Sequence, residues 1–106
     1  MYTPPQQFGH GDQTRYNVAA EAVIKAGTGR VARVSVLVAG AVGALHDCNV
    51  ITGQEDLPNN KIQPAIGNQI AVIPATVGVY LIDWPFANGL VYKPGAAQVV
   101  SISFLG

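Results

Sequence analysis

The feature that most restricts the fold is the length of the apolar runs, which are short and end at turn residues. Val, Ile and Ala form segments of roughly three to ten residues that are closed by Gly, Pro or Asn, which is typical of β-strands separated by turns. A run of this length is too short for most helices of globular proteins. Strands are therefore predicted at residues 18–25, 30–39, 43–48, 69–73, 79–84, 90–92 and 98–104.

The clearest strand shows an alternation of apolar and polar side chains. Val34, Val36 and Val38 fall on one face, and Arg33 and Ser35 fall on the other. A period of two is typical of a strand with one face buried. The sequence therefore predicts an all-β fold, a compact β-sandwich or jelly-roll-like domain of about seven to eight short antiparallel strands. This domain is predicted to span residues 18–106.

The first 17 residues differ from the remainder and are predicted to form an extended N-terminal arm. Pro4 and Pro5 favour a polyproline-like path and remove two backbone donors, so no good strand pairing is expected here. Tyr2, Phe8 and Tyr16 are large apolar groups spaced along this segment. Such groups gain free energy only when they are buried, so we expect the arm to dock onto a neighbouring protein surface.

The charge content limits the possible partners. Charged residues make up 11% of the chain and hydrophobic residues 49%, whereas a typical soluble domain carries about 25% charged residues. A surface so poor in charge favours association, which predicts a homo-oligomer. Six basic residues balance six acidic residues, and this argues against binding of nucleic acid. The apolar run 34–45 is too short to span a membrane.

The residues with chemical potential are few and scattered. His46 and Cys48 would share one strand face, but a zinc site needs three or four ligands and the other histidine is His10 in the arm. A single cysteine also excludes an internal disulfide. We therefore expect no enzyme activity, no metal and no cofactor. Paired carboxylates for acid–base chemistry would have to come from Asp47, Glu55, Asp56 or Asp83.

The segment 82–98 contains the single tryptophan of the chain. Pro85 cannot donate to a sheet and should end or bulge the strand there, and Asn88-Gly89 is a strong turn signal. The predicted order is strand, corner, strand and turn, with Trp84 and Phe86 closing the end of the sandwich. The alternative is that the aromatic pair forms a surface for stacking on a sugar.

The run IPATVGVYLIDWPFANGLVYKPGAAQVVSISF, residues 73–104, resembles the C-terminal half of small virion structural proteins of tailed bacteriophages. Those proteins also begin a strand with a motif like Gly29-Arg30-Val31. The resemblance covers roughly residues 22–104 and leaves out the arm.

This resemblance implies a structural function without catalytic residues. The members that are understood resemble capsid decoration (cement) proteins, or parts of head fibres and tails. The expectation is a decoration protein, made in the host cytoplasm because no secretory signal is seen. It would form a homo-oligomer, most simply a trimer, and bind the major capsid protein on the capsid surface. A tail, fibre or head–tail junction component and a carbohydrate-binding module centred on Trp84 are the alternatives.

Overall fold

The computed structural model describes residues 13–106, and within this range it contains eight β-strands in two four-stranded antiparallel sheets. Two short 3₁₀ helices, Leu57–Asn59 and Ile66–Asn68, lie in the long connection between the fourth and fifth strands. The strands are β1 (Gln13–Val18), β2 (Ala22–Ala26), β3 (Gly29–Val38), β4 (Gly43–His46), β5 (Gln69–Ile73), β6 (Gly78–Phe86), β7 (Gly89–Lys93) and β8 (Val99–Leu105).

The strand order is that of a jelly roll. One sheet, here called sheet A, has the order β1-β8-β3-β6, and the other, sheet B, has the order β2-β7-β4-β5. The first strand therefore pairs with the last, the second with the seventh, the third with the sixth and the fourth with the fifth. This nested pairing generates the two facing sheets of an eight-stranded jelly roll. The predicted all-β sandwich is confirmed.

The core lies between the two sheets and is built mainly from alternate residues of the strands. Strand β3 is central in sheet A, because it pairs with both β6 and β8. Val31, Val34 and Val36 are its residues in the core, and Ala32 is also buried. The spacing changes from odd to even positions because the register shifts on both sides between Val31 and Arg33. A bulge of this kind moves the following side chains to the other parity without ending the strand.

The prediction for the first strand was wrong. Residues 18–25 do not form one strand, because Val18 ends β1 in sheet A and β2 in sheet B begins at Ala22. The predicted arm also extends too far, since its residues 13–17 belong to β1, which pairs with β8. Tyr16 lies in that strand and is 74% exposed. The arm residues Tyr2, Pro4, Pro5 and Phe8 lie outside the described residues.

The other predicted strands are present with small changes of boundary. The predicted strand 43–48 ends at His46. Val38, expected on the buried face with Val34 and Val36, is 49% exposed, because the register with β8 shifts again between Val36 and Val38. No helix in residues 13–106 is long and apolar enough to cross a membrane.

A substitution in the core tests the placement of β4. Leu45 is fully buried, whereas Leu57 is 63% exposed in the connection between β4 and β5. The change Leu45→Ala should lower the free energy of unfolding by about 2–5 kcal/mol, since it removes buried methyl groups and leaves a cavity. Leu57→Ala is the matched control and should change it by less than about 0.5 kcal/mol. Urea unfolding followed by circular dichroism measures both, and equal effects would contradict this placement of the core.

Candidate functional site

The His46 side chain is part of a hydrogen-bond network that has a structural role. Its Nδ1 lies 2.9 Å from Asn68 Oδ1 and 3.1 Å from the Ala65 carbonyl oxygen. Asn68 Oδ1 also accepts the Ala65 N–H, and Asn68 Nδ2 donates to the Gln63 carbonyl. Because both neighbours of Nδ1 are acceptors, this nitrogen carries the proton. The buried histidine therefore ties the 63–68 segment to the end of β4.

Asp47 fixes the turn between β6 and β7. Its carboxylate accepts the backbone N–H groups of Ala87 at 3.1 Å, Asn88 at 2.8 Å and Gly89 at 3.4 Å. Such charge-assisted bonds to backbone donors are stronger than neutral ones. The carboxylate thus accepts hydrogen bonds from three backbone N–H groups of the turn that connects β6 in sheet A to β7 in sheet B.

Cys48 is fully buried and its thiol lies 3.8 Å from the Val50 carbonyl oxygen. Burial, together with the nearby carboxylates of Asp47 and Glu21, raises the pKa of the Cys48 thiol to about 12. A thiol that stays protonated is a poor nucleophile and a poor metal ligand. Within residues 13–106 no three His, Cys, Asp or Glu side chains are grouped so that they could hold a metal ion.

A second buried polar network was not predicted from the sequence. The Tyr92 hydroxyl donates to Gln98 Oε1, and Gln98 Nε2 donates to the Pro74 carbonyl at 2.9 Å. Tyr92 and Gln98 are both completely buried, and burial raises the pKa of Tyr92 to about 12. Through Tyr92 of β7, this network connects the start of β8 with the loop between β5 and β6. The signal in the sequence was parity, because Gln98 falls on the same face as Val100 and Ile102 in the predicted strand 98–104. Its hydrogen-bond partners come from other segments of the chain.

The two aromatic residues of the corner segment have different environments. Phe86 is buried, as predicted, but Trp84 is 56% exposed and does not close the sandwich. Strand β6 also continues through Pro85 to Phe86. The irregularity lies at Asp83, which has a φ of 50° and forms a 2.7 Å ion pair with Arg30 Nε on β3. The bulge and the proline thus lie on an edge strand, where a missing donor is tolerated.

One exposed feature is an apolar strip on the edge of sheet A. Val77, Val79 and Leu81 are 58%, 65% and 76% exposed. We call these three residues the β6 strip; Val77 lies in the bend directly before β6, and the other two lie within the strand. Val79 and Leu81 lie in β6 opposite Ser35 and Arg33 of β3, on the outer face of the sheet. Exposed apolar side chains that follow one another along a strand edge are typical of interaction surfaces.

Two clefts in residues 13–106 are lined mainly by apolar and uncharged side chains. One of about 240 Å³ is lined by Val23, Val50, Ile51, Gln54 and Lys61. Its single ionisable group, Lys61, has no acid or base partner among these lining residues, so they form no nucleophile–base pair. The β6 strip is therefore a better candidate for function than either of these two clefts.

In comparisons with known proteins, the chain matches no protein-family model, no curated protein and no solved structure. The function proposed below is therefore based on the exposed surface features and on the sequence resemblance to small virion structural proteins.

Removing the Asp47 carboxylate tests its structural role. Asp47→Ala should lower the free energy of unfolding by about 1–3 kcal/mol, because three backbone donors lose a charged acceptor. Glu55→Ala, in the exposed part of the same connection, is the control and should be nearly neutral. Amide hydrogen exchange should also accelerate at residues 87–89 in the Asp47 variant. Unchanged exchange there would contradict this role of the carboxylate.

Proposed function

We propose that the chain is a structural virion protein of a tailed bacteriophage and acts as a capsid decoration protein. It would bind to the major capsid protein on the capsid surface and stabilise the particle. The observation that carries this proposal is the exposed apolar β6 strip. The polar side chains with reactive groups, by contrast, form hydrogen bonds that hold the sandwich together. Jelly rolls occur among capsid proteins, but also among lectins and cupins, so the fold by itself is neutral.

The composition supports a protein whose surface is covered in its working state. Only 11% of the residues are charged, and eleven large hydrophobic residues of the described chain are exposed. A particle surface and sister subunits would supply the missing cover. A tail, fibre or head–tail junction component would satisfy the same argument, and the sequence resemblance includes these classes.

The arm is the proposed contact with the particle. Residues 1–12 precede β1, and Gln13 is paired with Phe104 at one end of sheet A. Tyr2 and Phe8 could each bury about 150–250 Å² on docking. At about 25 cal/mol per Å² this amounts to several kcal/mol per side chain, against an ordering cost of about 1–2 kcal/mol per residue. Attachment by such an arm depends on pockets that the partner offers.

Deletion of the arm tests this proposal. Because Gln13 and Thr14 pair with β8, the deletion should end at Asp12. The shortened protein should keep its melting temperature but bind more weakly to particles assembled without the protein, as measured by cosedimentation. In the full chain, Tyr2→Ala with Phe8→Ala should weaken binding in the same way, and Gln6→Ala with Gln7→Ala is the matched control. Unchanged affinity and salt resistance of the deletion would show that the arm makes no contact.

A carbohydrate-binding function is the second candidate, favoured by the exposure of Trp84. Trp84 is 56% exposed and lies opposite Val31 of β3, and the next residues along the two strands include the ion pair of Arg30 and Asp83. An exposed aromatic face with neighbouring polar groups is suited to stacking on a pyranose ring.

The tryptophan permits a direct test of glycan binding, since it is the only one in the chain. Binding of a sugar should shift the fluorescence of the protein, and hits on a glycan array should disappear in Trp84→Ala. Leu37→Ala, another exposed apolar position of sheet A, is the control. An array without hits would exclude this candidate and leave the structural proposal untouched.

A further inference from the structure

Strand β6 forms an unpaired edge of sheet A, and the first part of this edge has no charged side chain. It lies at the end of sheet A, so one side pairs with β3 and the other pairs with nothing in the described chain. Residues 77–82 of this edge contain no charged side chain. The β6 strip adds three exposed apolar side chains to it. An edge of this kind is a template for strand addition.

The other edges of the two sheets carry features that oppose strand addition. In β1 there are Arg15, a left-handed Asn17 with a φ of 51° and a register shift. In β2 there are Lys25 and a register shift. Strand β5 has five residues and is followed by Pro74. Charges, bulges and prolines are the usual protection of exposed edges.

The protection of β6 is confined to its C-terminal end. The left-handed Asp83 and Pro85 interrupt the edge there. Residues 77–82 precede both and remain available for pairing.

The charge distribution favours a second copy of this chain as the partner. Like charges facing one another would oppose self-association, but the first charge on this edge is Asp83, which is already paired with Arg30. Arg33 lies one strand further in, on β3. Two copies of Arg33 across the edge would be three strand spacings apart, about 14 Å, which exceeds the Debye length of about 8 Å at physiological salt.

We propose that β6 pairs antiparallel with β6 of a second copy about a two-fold axis at Val79. In this register Val79 faces its own copy, Gly78 faces Tyr80 of the second copy in both directions, and Val77, directly before β6, lies opposite Leu81. All three residues of the β6 strip then meet apolar residues of the second copy. The facing positions within β6, residues 78–80, provide about two to four backbone hydrogen bonds. The two sheets A join into one eight-stranded sheet.

A second copy fits this edge because a two-fold contact needs a surface complementary to itself. The palindromic spacing of Val77, Val79 and Leu81 about the central valine meets that requirement. The resulting dimer differs from the trimer expected from the sequence. It does not depend on the proposed virion function, because it concerns the purified protein alone.

Sedimentation equilibrium of the purified full chain tests the dimer. The wild type should be dimeric at micromolar concentration, and Leu81→Lys should raise the dissociation constant by about tenfold or more, because it places two charges opposite apolar residues. Val72→Lys is the matched control, since Val72 is, like Leu81, an exposed aliphatic residue on an edge strand, at 54% exposure on β5. A monomeric wild type, or equal effects of the two lysines, would overturn the proposal.

Cysteine cross-linking tests the register and does not require the lysine variant to fold. Val79→Cys should form a disulfide-linked dimer on mild oxidation, because the two Cβ atoms face one another at the axis. Leu81→Cys is the control on the same strand face and should stay unlinked, since its two copies lie about 13 Å apart along the strands. Native Cys48 is buried and gives no background. Efficient linking of Leu81→Cys, or none of Val79→Cys, would overturn this register.

Binding to particles is measured separately, so the two proposals can fail independently. If Leu81→Lys is monomeric but still binds particles, the dimer is supported as a contact distinct from particle attachment. If the wild type is dimeric as described but binds no particle, the proposed virion function fails and the dimer stands.

Discussion

Pairing of β3 on both of its sides is the interaction on which the remaining structure depends. This ten-residue strand lies between β8 and β6 and pairs with both. Its inner face carries the buried valines Val31, Val34 and Val36. Without it, sheet A would be reduced to the β1–β8 pair and β6 would have no partner, and an isolated two-stranded pair is marginal in water. Its bulge between Val31 and Arg33 also sets which side chains of β6 reach the core and which remain outside.

The demand that buried polar groups be paired explains why the reactive residues do not form a site. Asp47 and Gln98 each satisfy backbone groups of loops that cross between the sheets, and His46 bonds to the connection between β4 and β5 within sheet B. Among the described residues, no buried side-chain polar atom lacks a partner. Because unsatisfied groups are costly in a core this small, polar residues that connect segments distant in the chain are retained for stability.

The surface combines low charge with an incompletely protected sheet. Edge strands β1 and β2 carry charged side chains and irregular register, whereas β6 keeps an apolar section before Asp83. Closed barrels remove edges, but a jelly roll leaves two in each sheet. A protein that works within an assembly can use such an edge for contact.

The sequence by itself determined the fold class and most strand positions. Alternation in 30–39 and 98–104, with Gly, Pro and Asn between the runs, was sufficient because side-chain period and turn chemistry are local properties. It also indicated that Phe86 is buried. Tertiary structure decided what local patterns do not contain: the strand β1 within the predicted arm, the exposure of Trp84, and the hydrogen-bond partners of Gln98. The polar segment 13–17 forms a strand only because it can pair with the edge of β8. That partner is about ninety residues away in the sequence, so the strand propensity of the segment alone does not predict the pairing.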